Sequence, residues 1–69
     1  MRFSISTMSP KGYTGLHNTT DTIQKARTVA KDSIVYAEKH FNDGTPVGDY
    51  YAEIRNDRGL LVEKVTLNS

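Results

Sequence analysis

The 69-residue sequence has no cysteine, no tryptophan and no long apolar run. The absence of cysteine excludes a disulfide scaffold, a cysteine-based zinc finger, an iron–sulfur cluster and a thiol nucleophile. No segment approaches the roughly 18–20 apolar residues of a membrane span, and the N-terminus lacks the apolar core of a secretion signal. We therefore expect a soluble, cytoplasmic protein that has no membrane partner.

The chain also has little net charge, since its 9 Lys and Arg residues are nearly balanced by 8 Asp and Glu residues. A balance of +1 excludes a strongly basic nucleic-acid coat, because affinity from counterion release grows with the number of phosphates neutralised. The length accommodates one domain, residues 1–69, with a small core. Self-association is one way in which such a small domain gains stability, so a homodimer is expected as an alternative state.

A helix is predicted for residues 22–41. The run Asn18–Asp21 is a start signal, with either Asp21 or Thr20 as the N-cap, and Gly44 can take the left-handed conformation after Asn42 and Asp43. Apolar residues at spacings of three and four form one stripe, which predicts a helix lying close to a sheet. The members of this stripe are Ile23, Ala26, Ala30, Ile34, Ala37 and Phe41.

Alternating apolar and polar residues predict strands at residues 2–8, 50–55 and 60–67, and either a short strand or a loop at 13–17. This order predicts a small α+β fold, β(β)αββ, with a three- or four-stranded, mostly antiparallel sheet and one helix packed on one face. The core side of the sheet is predicted to carry Phe3, Ile5, Tyr50, Ala52, Ile54, Leu61, Val65 and Leu67.

Two registers are open for the hairpin that the last two strands form around Asn56–Gly59. If the last two turn residues are the loop, paired residue numbers sum to 117 and Glu53 lies opposite Lys64. If the turn carries a bulge at Gly59, the pairs sum to 116 and Glu53 faces Glu63. Opposite charges across a strand pair favour the first register by a few tenths of a kcal/mol to about 1 kcal/mol. We therefore predict the first register, which leaves Glu63 at the edge of the core.

No motif for catalysis or metal binding occurs in the sequence. His17 and His40 lack metal-ligand spacing, and no serine stands in a Gly-x-Ser-x-Gly elbow. Gly12 and Gly15 lack the Lys-Ser/Thr pair of a phosphate-binding loop, so they are interpreted as turn residues. We expect a protein that is not an enzyme and that binds neither a cofactor nor a metal.

One helix covers one face of a sheet, so the other face is left for solvent or a partner. The residues predicted to bind a partner are Tyr51, Arg55, Val62 and Lys64 on that face and Tyr36 on the helix. The expected function is that of a non-enzymatic protein–protein interaction module, such as a small phage or bacterial accessory protein that inhibits a host or defence protein. Two alternatives are a nucleic-acid-binding accessory protein using the same face and a structural domain that acts as a homodimer. No segment carries a motif specific enough to indicate a family.

Overall fold

Four antiparallel strands and one helix make up the computed structural model, which describes residues 2–41, 44–46 and 48–67. The order along the chain is β1 (Phe3–Ser9), β2 (Gly12–Thr20), α1 (Ile23–His40), β3 (Tyr51–Arg55) and β4 (Leu61–Val65). The strands lie in the order β2-β1-β3-β4. This confirms the α+β fold with four strands, and it places residues 13–17 within a strand. Within the described part of the chain, no helix combines the length and apolarity that a membrane span needs.

The core lies between α1 and one side of the sheet, here called the helix face. Alternation along β1 and β3 buries Ile5 and Ile54 completely, while their sequence neighbours point to the opposite side, here called the open face. Alanines at the centre of the helix stripe let the helix backbone lie close to the strands. The buried apolar residues are Phe3, Ile5, Ala26, Ala30, Ile34, Ala37, Tyr50, Ala52, Ile54 and Val65.

Both helix ends differ in detail from the prediction. The N-cap is Thr22, whose hydroxyl accepts a hydrogen bond from the backbone N–H of Lys25, so the assignment to Asp21 or Thr20 was wrong. The carboxylate of Asp21 instead pairs with the Lys25 ammonium at 3.2 Å, and the hydrogen bond from Lys25 lowers the pKa of Asp21.

At the other end, the helix stops at His40 and its C-cap is Phe41 in an extended conformation. Gly44 has a φ of +87°, which suits glycine, but it follows the cap by three residues and does not form it. The predicted turn residues Asn42 and Asp43 lie outside the described residues.

Pairing between β3 and β4 follows the predicted register over three pairs, which include Glu53 opposite Lys64. The next pair is Arg55 with Leu61, so Val62 is an extra residue on β4 and forms a β-bulge. Leu61 therefore shares a face with Arg55 and not with the core. The prediction that Leu61 and Leu67 are core residues was wrong, because these side chains are 52% and 36% exposed.

Pairing between β1 and β2 is also interrupted. Ser6 lies opposite His17 and Met8 lies opposite Tyr13. Between these two pairs β1 has one residue, whereas β2 has three. Gly15 lies within this irregular segment with a φ of +92°, a conformation that a glycine adopts without strain. Both edges of the sheet, β2 and β4, therefore carry an irregularity, which is a common feature of strands without an outer neighbour.

Candidate functional site

The open face brings together three of the five residues that were predicted to bind a partner. Tyr51 and Arg55 come from alternate positions of β3, and Lys64 projects from β4 opposite Glu53. Val62, the fourth, is the bulged residue of β4 at the same end of the sheet as Arg55. Alternation along adjacent antiparallel strands is what gathers these side chains on one side.

The aromatic ring of Tyr51 is already engaged. The ammonium of Lys64 lies 4.4 Å from the ring centroid, which is within the range of a cation–π contact. Such contacts contribute about 0.5–1 kcal/mol at exposed positions. A planar ligand that stacked on this side of the ring would first have to displace the ammonium group.

The guanidinium of Arg55 is held by two groups on its own hairpin. It donates to the Glu53 carboxylate at 3.4 Å and to the backbone carbonyl of Gly59 at 3.1 Å. The side-chain carbonyl of Asn56 accepts hydrogen bonds from the N–H groups of Arg58 and Leu60 at 2.9 and 3.1 Å. These bonds fix the turn, and with it the direction of the residues that follow.

Three consecutive large apolar side chains follow this turn and face solvent. Leu60, Leu61 and Val62 are 61%, 52% and 45% exposed. They lie on β4 or directly before it, and β4 is an edge strand with no outer neighbour in the described part of the chain. A run of exposed apolar residues on an open strand edge is unfavourable in a monomer and is typical of a contact surface. We call Leu60–Val62 the apolar run.

The sequence-based prediction placed Leu61 in the core because it treated the two hairpin registers as exclusive, and it did not single out Leu60. The structure uses both, with a bulge between them. In the register whose pairs sum to 116, Leu61 lies beside Arg55, so the signal for its exposure was present in the less favoured register.

Tyr36, the fifth predicted residue, lies apart from the others. It is on the flank of α1 that faces β2, and its side chain is 50% exposed. Its ring centroid is 4.4 Å from that of His40, as expected for residues one helical turn apart. Tyr36 lines a groove between α1 and β2 and contributes nothing to the open face.

Glu63 connects the sheet to the helix at the rim of the core. Its carboxylate accepts hydrogen bonds from Nε and Nη2 of Arg27 at 3.0 to 3.2 Å, in a bidentate geometry. This pair explains how an acidic residue is accommodated on the helix face of β4. It also fixes the position of that edge strand against α1.

Residues 2–41, 44–46 and 48–67 contain no cluster of three or more His, Asp or Glu side chains that could hold a metal ion. Comparison of the chain with models of protein families, with curated proteins and with solved structures finds no match. Any inference about function therefore rests on the side chains of the open face and of the apolar run.

Proposed function

We propose that the protein is a protein-binding module whose contact surface joins the apolar run to the open face of the sheet. The observation that carries this proposal is the exposure of Leu60, Leu61 and Val62 on an edge strand. Apolar burial contributes roughly 25 cal/mol per Å², so covering these side chains would supply much of the binding free energy. Arg55 lies beside Leu61, and Lys64 and Tyr51 lie further along the same face, so these three would form the polar part of the contact.

The engagement of the cations favours a protein partner over a nucleic acid. Arg55 is paired with Glu53, and Lys64 covers one side of the Tyr51 ring, so both cations are already engaged and a base could not stack on that side without displacing Lys64. The partner in this proposal is a host or defence protein that the chain binds and blocks. The small size of the chain and its exposed apolar run support an accessory or inhibitor role.

The test is affinity capture from the native host with the tagged full chain, performed with and without nuclease and read by mass spectrometry. Leu61→Lys is the disruptive variant. Val35→Lys is the matched control, because Val35 is an exposed valine on the outer side of α1, far from the open face. Both positions are exposed, and surface substitutions of this kind usually change stability by less than about 0.5 kcal/mol.

We expect one protein to remain bound after nuclease treatment, to be lost with Leu61→Lys and to be kept with Val35→Lys. If the captured proteins are lost after nuclease treatment, the proposal is contradicted and nucleic-acid binding is supported instead. Equal capture by the two variants would contradict the proposed surface. Sedimentation of the purified chain completes the experiment: if Leu61→Lys dissociates a dimer and no other protein is captured, the surface serves a homodimer.

A further inference from the structure

A groove of about 320 Å³ lies on the other side of the molecule, between α1 and the edge strand β2. Only Asp21 and Thr22 separate the strand from the helix, so α1 returns along β2 and the two elements form the walls. The lining residues are Leu16, Asn18, Val29, Asp32, Ser33 and Tyr36. This groove shares no residue with the apolar run or the open face, so a ligand in it would be independent of the proposed function.

The groove is apolar with one acidic group. Its floor is tied by a hydrogen bond from the Asn18 amide to the Ser33 hydroxyl at 3.3 Å. Asp32 has no cationic partner among the residues that the structure describes, whereas the nearby Lys25 is paired with Asp21. An unpaired carboxylate beside the apolar side chains of Val29 and Tyr36 complements a ligand that is both cationic and apolar.

The wall formed by β2 adds a second recognition element. β2 is an edge strand within the described residues, and its second half, 17–20, pairs regularly with β1. The outer edge of such a strand offers backbone N–H and C=O groups to an extended peptide. Side chains at alternate positions of an added strand point to the same face, so two of them would enter the groove together.

We propose that this groove binds an extended peptide segment that adds to the edge of β2. One side chain of the segment is apolar and packs on Leu16, Val29 and Tyr36. A lysine or arginine two positions away pairs with Asp32. The peptide backbone supplies affinity, and the spacing of the apolar and basic side chains supplies specificity.

The probe is a phage library of random heptapeptides, selected on the full wild-type chain. Enriched sequences are then synthesised, and their affinities are measured by fluorescence polarisation for wild type, Asp32→Asn and Asp57→Asn. Asp57→Asn is the matched control, because Asp57 is an exposed aspartate in the turn between β3 and β4. Amide chemical shifts of the labelled protein identify where each peptide binds.

We expect enrichment of a basic residue two positions from an apolar one, and shift changes confined to β2 and the adjoining flank of α1. Asp32→Asn should weaken binding about two- to five-fold, the range of a single exposed ion pair, and Asp57→Asn should leave it unchanged. The proposal is overturned if no peptide is enriched, if the enriched peptides lack a basic residue, or if Asp32→Asn binds them as wild type does. It is equally overturned if the shift changes fall on β4.

Discussion

Two threonine hydroxyls on the first hairpin have opposite surroundings. Thr7 is fully buried on β1, and its hydroxyl has no hydrogen-bond partner within the described part of the chain. The Thr14 hydroxyl on β2 donates to the backbone carbonyl of Thr7 at 2.8 Å and accepts from the N–H of Leu16 at 3.3 Å. We therefore expect the hydroxyl to lower the free energy of unfolding at Thr7 and to raise it at Thr14.

We predict that Thr7→Val increases the free energy of unfolding and that Thr14→Val decreases it, each by about 1 kcal/mol. The first change removes an unsatisfied buried hydroxyl, and the second removes two hydrogen bonds. Both changes keep a β-branched side chain, so strand propensity is matched. Urea denaturation of the two variants measures the difference, and a loss of stability in Thr7→Val would show that its hydroxyl has a partner.

At the residue scale, the sequence predicted side-chain orientation well wherever the strand was regular. Tyr50, directly before β3, is 2% exposed, and Tyr51, the first residue of β3, is half-buried, as expected for adjacent residues of an extended chain. The prediction failed at Leu61 because a bulge inverts alternation locally. The bulge lies between the turn, which the Asn56 side chain stabilises, and the regular pairs from Ala52–Val65 to Ile54–Glu63, and the hydrophobic pattern does not reveal it.

At the scale of elements, the contact between α1 and the sheet depends on small side chains. Ala26, Ala30 and Ala37 are all completely buried against the strands. They fill little volume, so the helix backbone approaches the sheet closely. The sequence predicted this arrangement from the spacing and the size of the residues in the stripe, both of which are local properties.

We predict that Ala30→Leu lowers the free energy of unfolding by roughly 1–3 kcal/mol, because three added carbons overpack the space between helix and sheet. Val35→Leu is the control, since Val35 points to solvent from the same helix and its change should stay within about 0.5 kcal/mol. Thermal unfolding followed by circular dichroism measures both. A similar melting temperature for the two variants would mean that the contact has room for a larger side chain.

At the scale of the whole molecule, stability rests on few side chains. A domain of this length buries only about 60% of its unfolded surface, and such a core rarely supplies more than about 3–5 kcal/mol. Ile54 belongs to the buried cluster and is fully inaccessible to solvent. Truncation of the Ile54 side chain would therefore remove a large share of the free energy of unfolding.

We predict that Ile54→Ala, which should cost about 2–5 kcal/mol, is largely unfolded at 25 °C, and that Ile54→Val, at about 0.5–1.5 kcal/mol, remains folded. Far-ultraviolet circular dichroism as a function of protein concentration distinguishes the two. A cooperative transition of Ile54→Ala whose midpoint rises with concentration would show that self-association supplies the missing stability.

The candidate site could be predicted only in part, since a surface depends on how elements are placed together. Alternation assigned Tyr51, Arg55 and Lys64 to one face, because that grouping follows from strand periodicity. The groove beside Tyr36 could not be predicted, because its walls are α1 and an edge strand whose place in the sheet order is set by tertiary pairing. The sequence did not decide between a strand and a loop for residues 13–17. The strand that forms the second wall of the groove was therefore not predicted.

The position of β1 between β2 and β3 has a kinetic consequence. The β1–β2 and β3–β4 pairs are hairpins of sequence neighbours, whereas β1 and β3 join residues that are 43 positions apart at Met8 and Tyr51 and 51 positions apart at Ser4 and Arg55. Closing that long loop costs conformational entropy before any contact is gained. We therefore expect the two hairpins to form before β1 pairs with β3, and during synthesis the inner edge of β1 stays unpaired until β3 has emerged from the ribosome.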